Sequence, residues 1–198
     1  TTTPAPGYAL ETALQLAALG YRIVPIPPGA KHPKGFGAWP DLATSDANTI
    51  RGWLQDTTHG IGLVTGLQTD GSYLTAVDAD GDDGMANLTK LIRQHGSDVD
   101  PFLDTANQIT GSETGAHFLF SGEFPHRNGR LCEKVDIRGE GGFVVVAPTV
   151  HPSGGTYKWV KSLIDHKPLP MPQWVHNTLT APPPTPKPVT APSAATQR

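Results

Sequence analysis

Asp78 and Asp80 end an apolar, β-prone run, YLTAVDAD over residues 73–80, and GDDG follows. Residues two apart on a strand point to one face. The two carboxylates are therefore expected side by side, on the face shared with Leu74 and Ala76. By the strand rise they stand about 6–7 Å apart. At that separation they repel by about 0.7 kcal/mol in water and by about 2–3 kcal/mol at an effective dielectric of about 20. A divalent cation would offset the repulsion, since Mg²⁺ prefers carboxylate oxygens with phosphates and waters completing its shell. A strand-end turn would explain the same acids, and a bare D-x-D does not separate the two. Asp82 and Asp83 suit the cap of a following helix.

Asp136, in KVDIRGEGGFVVVAP, lies between Val135 and Ile137. The apolar neighbours should point one way and Lys134, Asp136 and Arg138 the other. A third acid on a second strand could meet the first two across a sheet. Three such carboxylates suit two divalent ions about 3.5–4 Å apart, the arrangement that clamps attacking and leaving oxygens in phosphoryl or nucleotidyl transfer. A surface ion pair with Arg138 or Lys134 is the plainer alternative. His117, in TGSETGAHFLF, should share a face with Leu119, opposite Phe118 and Phe120. It could contact phosphate beside backbone N–H groups of the Gly111–Gly115 loop, or simply pack. Lys31 sits on a Pro/Gly-rich loop that could present it to a triphosphate or a template. Arg127, Arg130, Lys134 and Arg138, set against Glu133 and Asp136, form a locally basic stretch that suits a phosphate backbone. Trp39, Trp53, Trp159 and Trp174 could stack on bases or fill a core. His126 and Cys132 lack the partners a zinc site needs.

Positioning these side chains takes alternating elements. YALETALQLAALG places Leu10, Ala13, Leu14 and Ala17 at helical spacing and stops at Gly20. YRIVPI reads as a strand. SDANTIRGWLQD reads as a helix capped by Asp46, with Ile50, Trp53 and Leu54 on one face. GIGLVTG and YLTAVDAD read as strands. GMANLTKLIRQHG reads as a helix capped by Asp82 or Asp83, with Met85, Leu88 and Ile92 inward. AHFLF, KVDI and FVVVA read as strands, and TYKW as a short late one. This order predicts an α+β fold, a mixed β-sheet flanked by helices.

The 198 residues, 37% hydrophobic and 17% charged, suit one domain with a real core. A net charge of −3 confines any nucleic-acid contact to a local patch. One cysteine excludes a disulfide framework and fits a reducing interior, so a cytoplasmic place is expected. No apolar run approaches the roughly 18 residues of a membrane span, so no membrane partner is expected. Residues 181–198 hold six prolines and no aromatic residue. They predict a semi-rigid linker after a catalytic domain spanning 1–180. The opening on Thr1 and this linker suggest a piece of a longer chain.

Several of these pieces stand in the order of a known family. The chain resembles the bifunctional DNA primase/polymerase (prim-pol) domain of the archaeo-eukaryotic primase superfamily, found in plasmid and phage replication proteins. The resemblance rests on AALGYRIVPIPPGAKHPKGFGAWP, IRGWLQDTTHGIGLVTG, YLTAVDAD, TGSETGAHFLF and VDIRGEGGFVVVAPTVHPSGGTYKW. It covers about residues 8–160. It implies an RRM-like catalytic core and template-directed nucleotidyl transfer with two Mg²⁺ or Mn²⁺ ions. By position it makes Asp78, Asp80 and Asp136 the metal-binding, catalytic acids and His117 the contact to the nucleotide's phosphates. Lys31, Ser112, Thr114 and Arg138 fall near the nucleotide. The implied partners are a DNA template and primer, dNTP or NTP, and a helicase region downstream. Two departures stand out. The family loop reads closer to T-x-S-G-G-x-H, whereas here Glu113 and Thr114 intervene, and the usual a-P-P-S run is APTV. Two other readings stay open: a metal-dependent nucleotide-sugar glycosyltransferase using the D-x-D, and a non-catalytic single-strand DNA-binding module of a replication protein.

Overall fold

The computed structural model describes residues 3–96, 100–126 and 128–180. In chain order the elements are α1 (Leu10–Ala18), β1 (Ile23–Ile26), α2 (Trp39–Leu42), α3 (Ala47–Leu54), β2 (Gly60–Val64), β3 (Gly66–Leu67) and β4 (Tyr73–Ala79). There follow α4 (Gly81–Gln94), α5 (Asp100–Asp104), β5 (Ala106–Ile109), β6 (Ala116–Ser121), β7 (Asn128–Cys132) and β8 (Val135–Arg138). Last come β9 (Phe143–Val146), β10 (Lys158–Lys161), β11 (Leu169–Pro170) and α6 (Gln173–Thr180). The fold is α+β, with helices packed on largely antiparallel sheets.

Two sheets form. The smaller runs β1-β2-β9, antiparallel throughout. The larger runs β10-β5-β6-β4-β8-β7, with β3 beside β4 and β11 beside β6. Only the β11–β6 pairing is parallel among those described, which makes the large sheet mixed.

Strand alternation divides the core. On one face of the large sheet, Leu74, Ala76, Ala106 and Leu119 pack with Ile61, Leu63, Val144 and Val146 of the small sheet and with α1 and α3. On the other face, Val77, Ala79, Phe118, Phe120, Val135 and Ile137 pack on Leu88 and Ile92 of α4, on Phe102 and on Val175. Both faces of β4 are thus covered, which is why it reads as an almost unbroken apolar run.

The helices start and stop where their side chains dictate. Asp46 caps α3 by accepting the Thr49 N–H at 2.8 Å. Gly20 takes φ +92° just past α1, a conformation that glycine adopts without strain. Two readings shift. In α1 the buried residues are Ala13, Leu16 and Ala17, while Leu10 and Leu14 lie at the rim. α4 begins at Gly81, three residues before the Gly84 read from the sequence: Asp80 is its N-cap residue, and Asp82 and Asp83 occupy the first turn. There their charges complement the helix dipole. The linker read for 181–198 lies outside the described residues, as does Arg127. No described helix is long and apolar enough to cross a membrane.

Candidate active site

Three adjacent antiparallel strands bring the predicted residues together. Asp78 on β4 is directly opposite His117 on β6 and directly opposite Asp136 on β8. Because Leu74, Ala76 and Leu119 face the small sheet, the same alternation turns Asp78, His117 and Asp136 toward that side. There the covering layer ends and a cavity of about 680 Å³ opens. Asp80, one step past the strand, also lines it. Asp80 keeps an extended backbone (φ −90°, ψ 110°) and its carboxylate caps nothing.

The expected repulsion between acids is offset by protein cations. The Arg138 guanidinium lies between Asp78 and Asp136, with Nη2 at 3.3 Å from an oxygen of each. Its Nη1 donates to Asn128 Oδ1 at 2.8 Å. The exposed Arg130 reaches Asp136 from outside at 3.3 Å. His117 Nε2 meets the other oxygen of Asp78 at 3.2 Å. Burial pushes the Asp78 carboxyl up, but the His117 ring and the Arg138 guanidinium outweigh it and hold the group at about 2. The same acids act on Tyr157. Burial, reinforced by Asp78 and Asp80, pushes its hydroxyl up to about 12.

Hard carboxylate oxygens suit Mg²⁺ or Mn²⁺, so the donor set fits such ions in kind. In this conformation Arg138 stands between two of the three acids. Among the described residues, no group of three His, Cys, Asp or Glu side chains is placed to hold one ion.

The remaining predicted residues divide. Lys31 and Ser112 line the cavity. Thr114 does not; it is exposed beside the start of α4, near Gly81. The Glu113 N–H closes the loop on Thr110 O at 2.9 Å, so that amide is not left for a ligand. Glu113 itself takes φ +69°, a left-handed conformation that favours glycine, at the point where the chain departs from the glycine-rich family loop. Lys134 is not on the strand face with Asp136 and Arg138. It occupies the β7–β8 turn at φ +58° and pairs with Asp83 at 2.6 Å. Arg130, Lys134 and Arg138 all line the cavity. Of the tryptophans, Trp39 lines it, edge-on to Phe143 at 4.9 Å. Trp53 and Trp159 pack on the core, and Trp174 stacks on His95 at 4.7 Å. His126 packs edge-on to Phe124, and Cys132 packs on the core.

Three residues of the site went unread as functional. Gln108 of β5 bonds His117. Tyr157 and His151 line the cavity, their rings 6.0 Å apart. His151 Nδ1 accepts the Ser153 N–H at 3.1 Å, while its buried Nε2 has no hydrogen-bond partner among the described residues. Burial, with Lys31 nearby, pulls His151 below the ordinary imidazole value. Both residues belong to the HPSGGTYKW stretch of the resemblance, which carried no role for them. Gln108 had no signal beyond the need of a buried histidine for a partner.

No curated protein matches the chain. The family model described as "Bifunctional DNA primase/polymerase, N-terminal" matches residues 13–174, from within α1 into α6 and across every strand of the site. The family carries DNA primase/polymerase activity, and its substrates are DNA and nucleotides. With Asp78, His117 and Asp136 abreast on three strands of that matched region, the chain belongs to the bifunctional DNA primase/polymerase N-terminal domain family.

Proposed function

We propose that this domain catalyses template-directed addition of nucleotides to a primer strand at the Asp78–His117–Asp136 cavity. The observation that carries the reading is the register: two acids and a histidine directly opposed on β8, β4 and β6, facing one cavity. Asp78, Asp80 and Asp136 would hold two Mg²⁺ or Mn²⁺ ions. When bound, such ions activate the attacking 3′-hydroxyl and neutralise the leaving pyrophosphate. His117, with Lys31 and Ser112 along the cavity wall, positions the triphosphate. Arg138, freed from the acids, supplies a forked donor to phosphate. Arg130 and Lys134, at the rim, attract the template–primer backbone. Thr114, outside the cavity, acts only by shaping the loop.

The wider setting belongs to the same proposal. The protein works in plasmid or phage DNA replication in the cytoplasm. Residues 181–198 lead to a helicase region, and the domain extends primers more readily than it starts them. The test is extension of a labelled primer–template with dNTPs and Mg²⁺ or Mn²⁺, beside an Asp78→Ala/Asp80→Ala double variant checked by circular dichroism. Template-directed products from the wild type alone are expected. A folded wild type that binds single strands without metal and adds no nucleotide would replace this reading with the binding-module one.

A further inference from the structure

Gln108 lies on β5 directly opposite His117 on β6 and is fully buried. Its amide makes three contacts. Oε1 accepts the Ala147 N–H at 3.0 Å, Nε2 donates to Val145 O at 2.7 Å, and Nε2 also meets His117 Nδ1 at 2.8 Å. The network allows the amide no other orientation. A backbone N–H must meet the oxygen and a backbone carbonyl must meet the NH₂. Gln108 is therefore the donor to His117, and Nδ1 must carry the lone pair. A neutral imidazole has one donor and one acceptor nitrogen. The ring proton then sits on Nε2, the atom 3.2 Å from Asp78.

We propose that Gln108 is a positioning residue that locks His117 as the Nε2–H tautomer, so that the ring can only donate into the cavity. This rests on the polymerase reading of that cavity. The oxygens of a nucleoside triphosphate are acceptors. A ring presenting a lone pair at Nε2 would repel them, and one presenting N–H binds them. Asp78 takes the hydrogen bond in the free protein, and a phosphate oxygen takes it when nucleotide enters. Gln108 also ties β5 of the large sheet to Val145 within β9 of the small sheet and to Ala147 just after it. The junction of the two sheets thus sets the ring's orientation.

The test is nitrogen NMR of ¹⁵N-histidine-labelled full chain, with His117 assigned through His117→Ala. The wild type should show a pyridine-like Nδ1 and a pyrrole-like Nε2. Gln108→Glu keeps an acceptor for Ala147 and should turn Nδ1 into an N–H. Gln108→Met should weaken binding of dATP with Mg²⁺ about tenfold in the wild-type background, the worth of one buried charge-assisted hydrogen bond. In the His117→Ala background the same change should cost less than about twofold, because a residue acting through His117 adds nothing once the ring is gone. A protonated Nδ1 in the wild type, an unchanged tautomer in Gln108→Glu, or equal losses in both backgrounds would overturn the proposal. The last result would leave Gln108 a clasp between sheets. A wild type that binds no nucleoside triphosphate would remove the polymerase reading, while the spectra would still decide the tautomer.

Discussion

Asp78 is the residue on which the site turns, because its carboxylate bonds both His117 and Arg138. Its carboxyl is held at about 2, below the ordinary value near 3.8. The sign of the pH effect follows. The ionised group adds stability that is fully present above pH about 4 and is lost as pH falls through about 2. The size is about 2 kcal/mol by linkage. In denaturant titrations Asp78→Asn should therefore be less stable than wild type at pH 7, and the gap should close between pH 4 and pH 2. Primer extension by the same variant should fall on the order of 10²-fold or more, the usual cost of losing a group that organises charge in a transition state. Steady-state kinetics at pH 7 checks this. An activity near wild type would remove Asp78 from the chemistry.

Among the elements, β4, β6 and α4 do the positioning, and they meet where Gly115 leaves no room. A Cβ there would lie 2.7 Å from Ala79 O, 2.9 Å from Thr110 Oγ1 and 3.0 Å from Gly81 N. Two of those atoms are backbone and cannot turn aside. Gly115→Ala should push the start of β6 from the end of β4, costing about 1–3 kcal/mol. It should also separate His117 from Asp78. Leu88→Ala makes the contrast. Leu88 is fully buried on the opposite face of the sheet. Its truncation should cost about 2–5 kcal/mol. The prediction is that Gly115→Ala loses more activity per unit of lost stability than Leu88→Ala, measured by thermal melts and extension rates on the same samples. Equal ratios would mean that the loop has no special hold on the site.

At the scale of the whole molecule, the cavity exists because a three-stranded and an eight-stranded sheet share a core and then part over Asp78, His117 and Asp136. Arg138 balances the acids without an ion, so folding and catalysis should separate. Without nucleotide, a chelator should leave the melting temperature within about 1 °C of its untreated value, since Arg138 already neutralises the acids and ions that enter with the nucleotide do not stabilise the free protein, yet it should abolish extension. A large fall in melting temperature on chelation would mean that a metal is part of the fold. The net charge of −3 gives no general attraction to DNA, so the proposed contact to the template–primer rests on the few cations at the cavity rim.

Local chemistry and periodicity determined most of the elements and the candidate residues. Alternation along YLTAVDAD put Asp78 on the Leu74–Ala76 face, and the same rule placed His117 with Leu119 and Asp136 opposite Val135 and Ile137, because a strand's period of two does not depend on its partners. What tertiary structure decided was pairing and identity of counter-ion. β5 was invisible to hydrophobic patterning because Asn107 and Gln108 are buried polar residues. Their partners are Leu103 O, Thr105 O, Val145 O, Ala147 N and His117, groups near and far that only the folded chain brings together. Asp80 displaced Asp82 and Asp83 as the N-cap residue because the β7–β8 turn holds its N–H on Lys134 O at 2.9 Å. Arg138, two residues from Asp136 and so on the same strand face, reaches Asp78 only because β4 and β8 pair in one particular register. Sequence spacing sets which way a side chain points along its own strand, whereas its neighbour across the sheet is set by register, which the whole core selects.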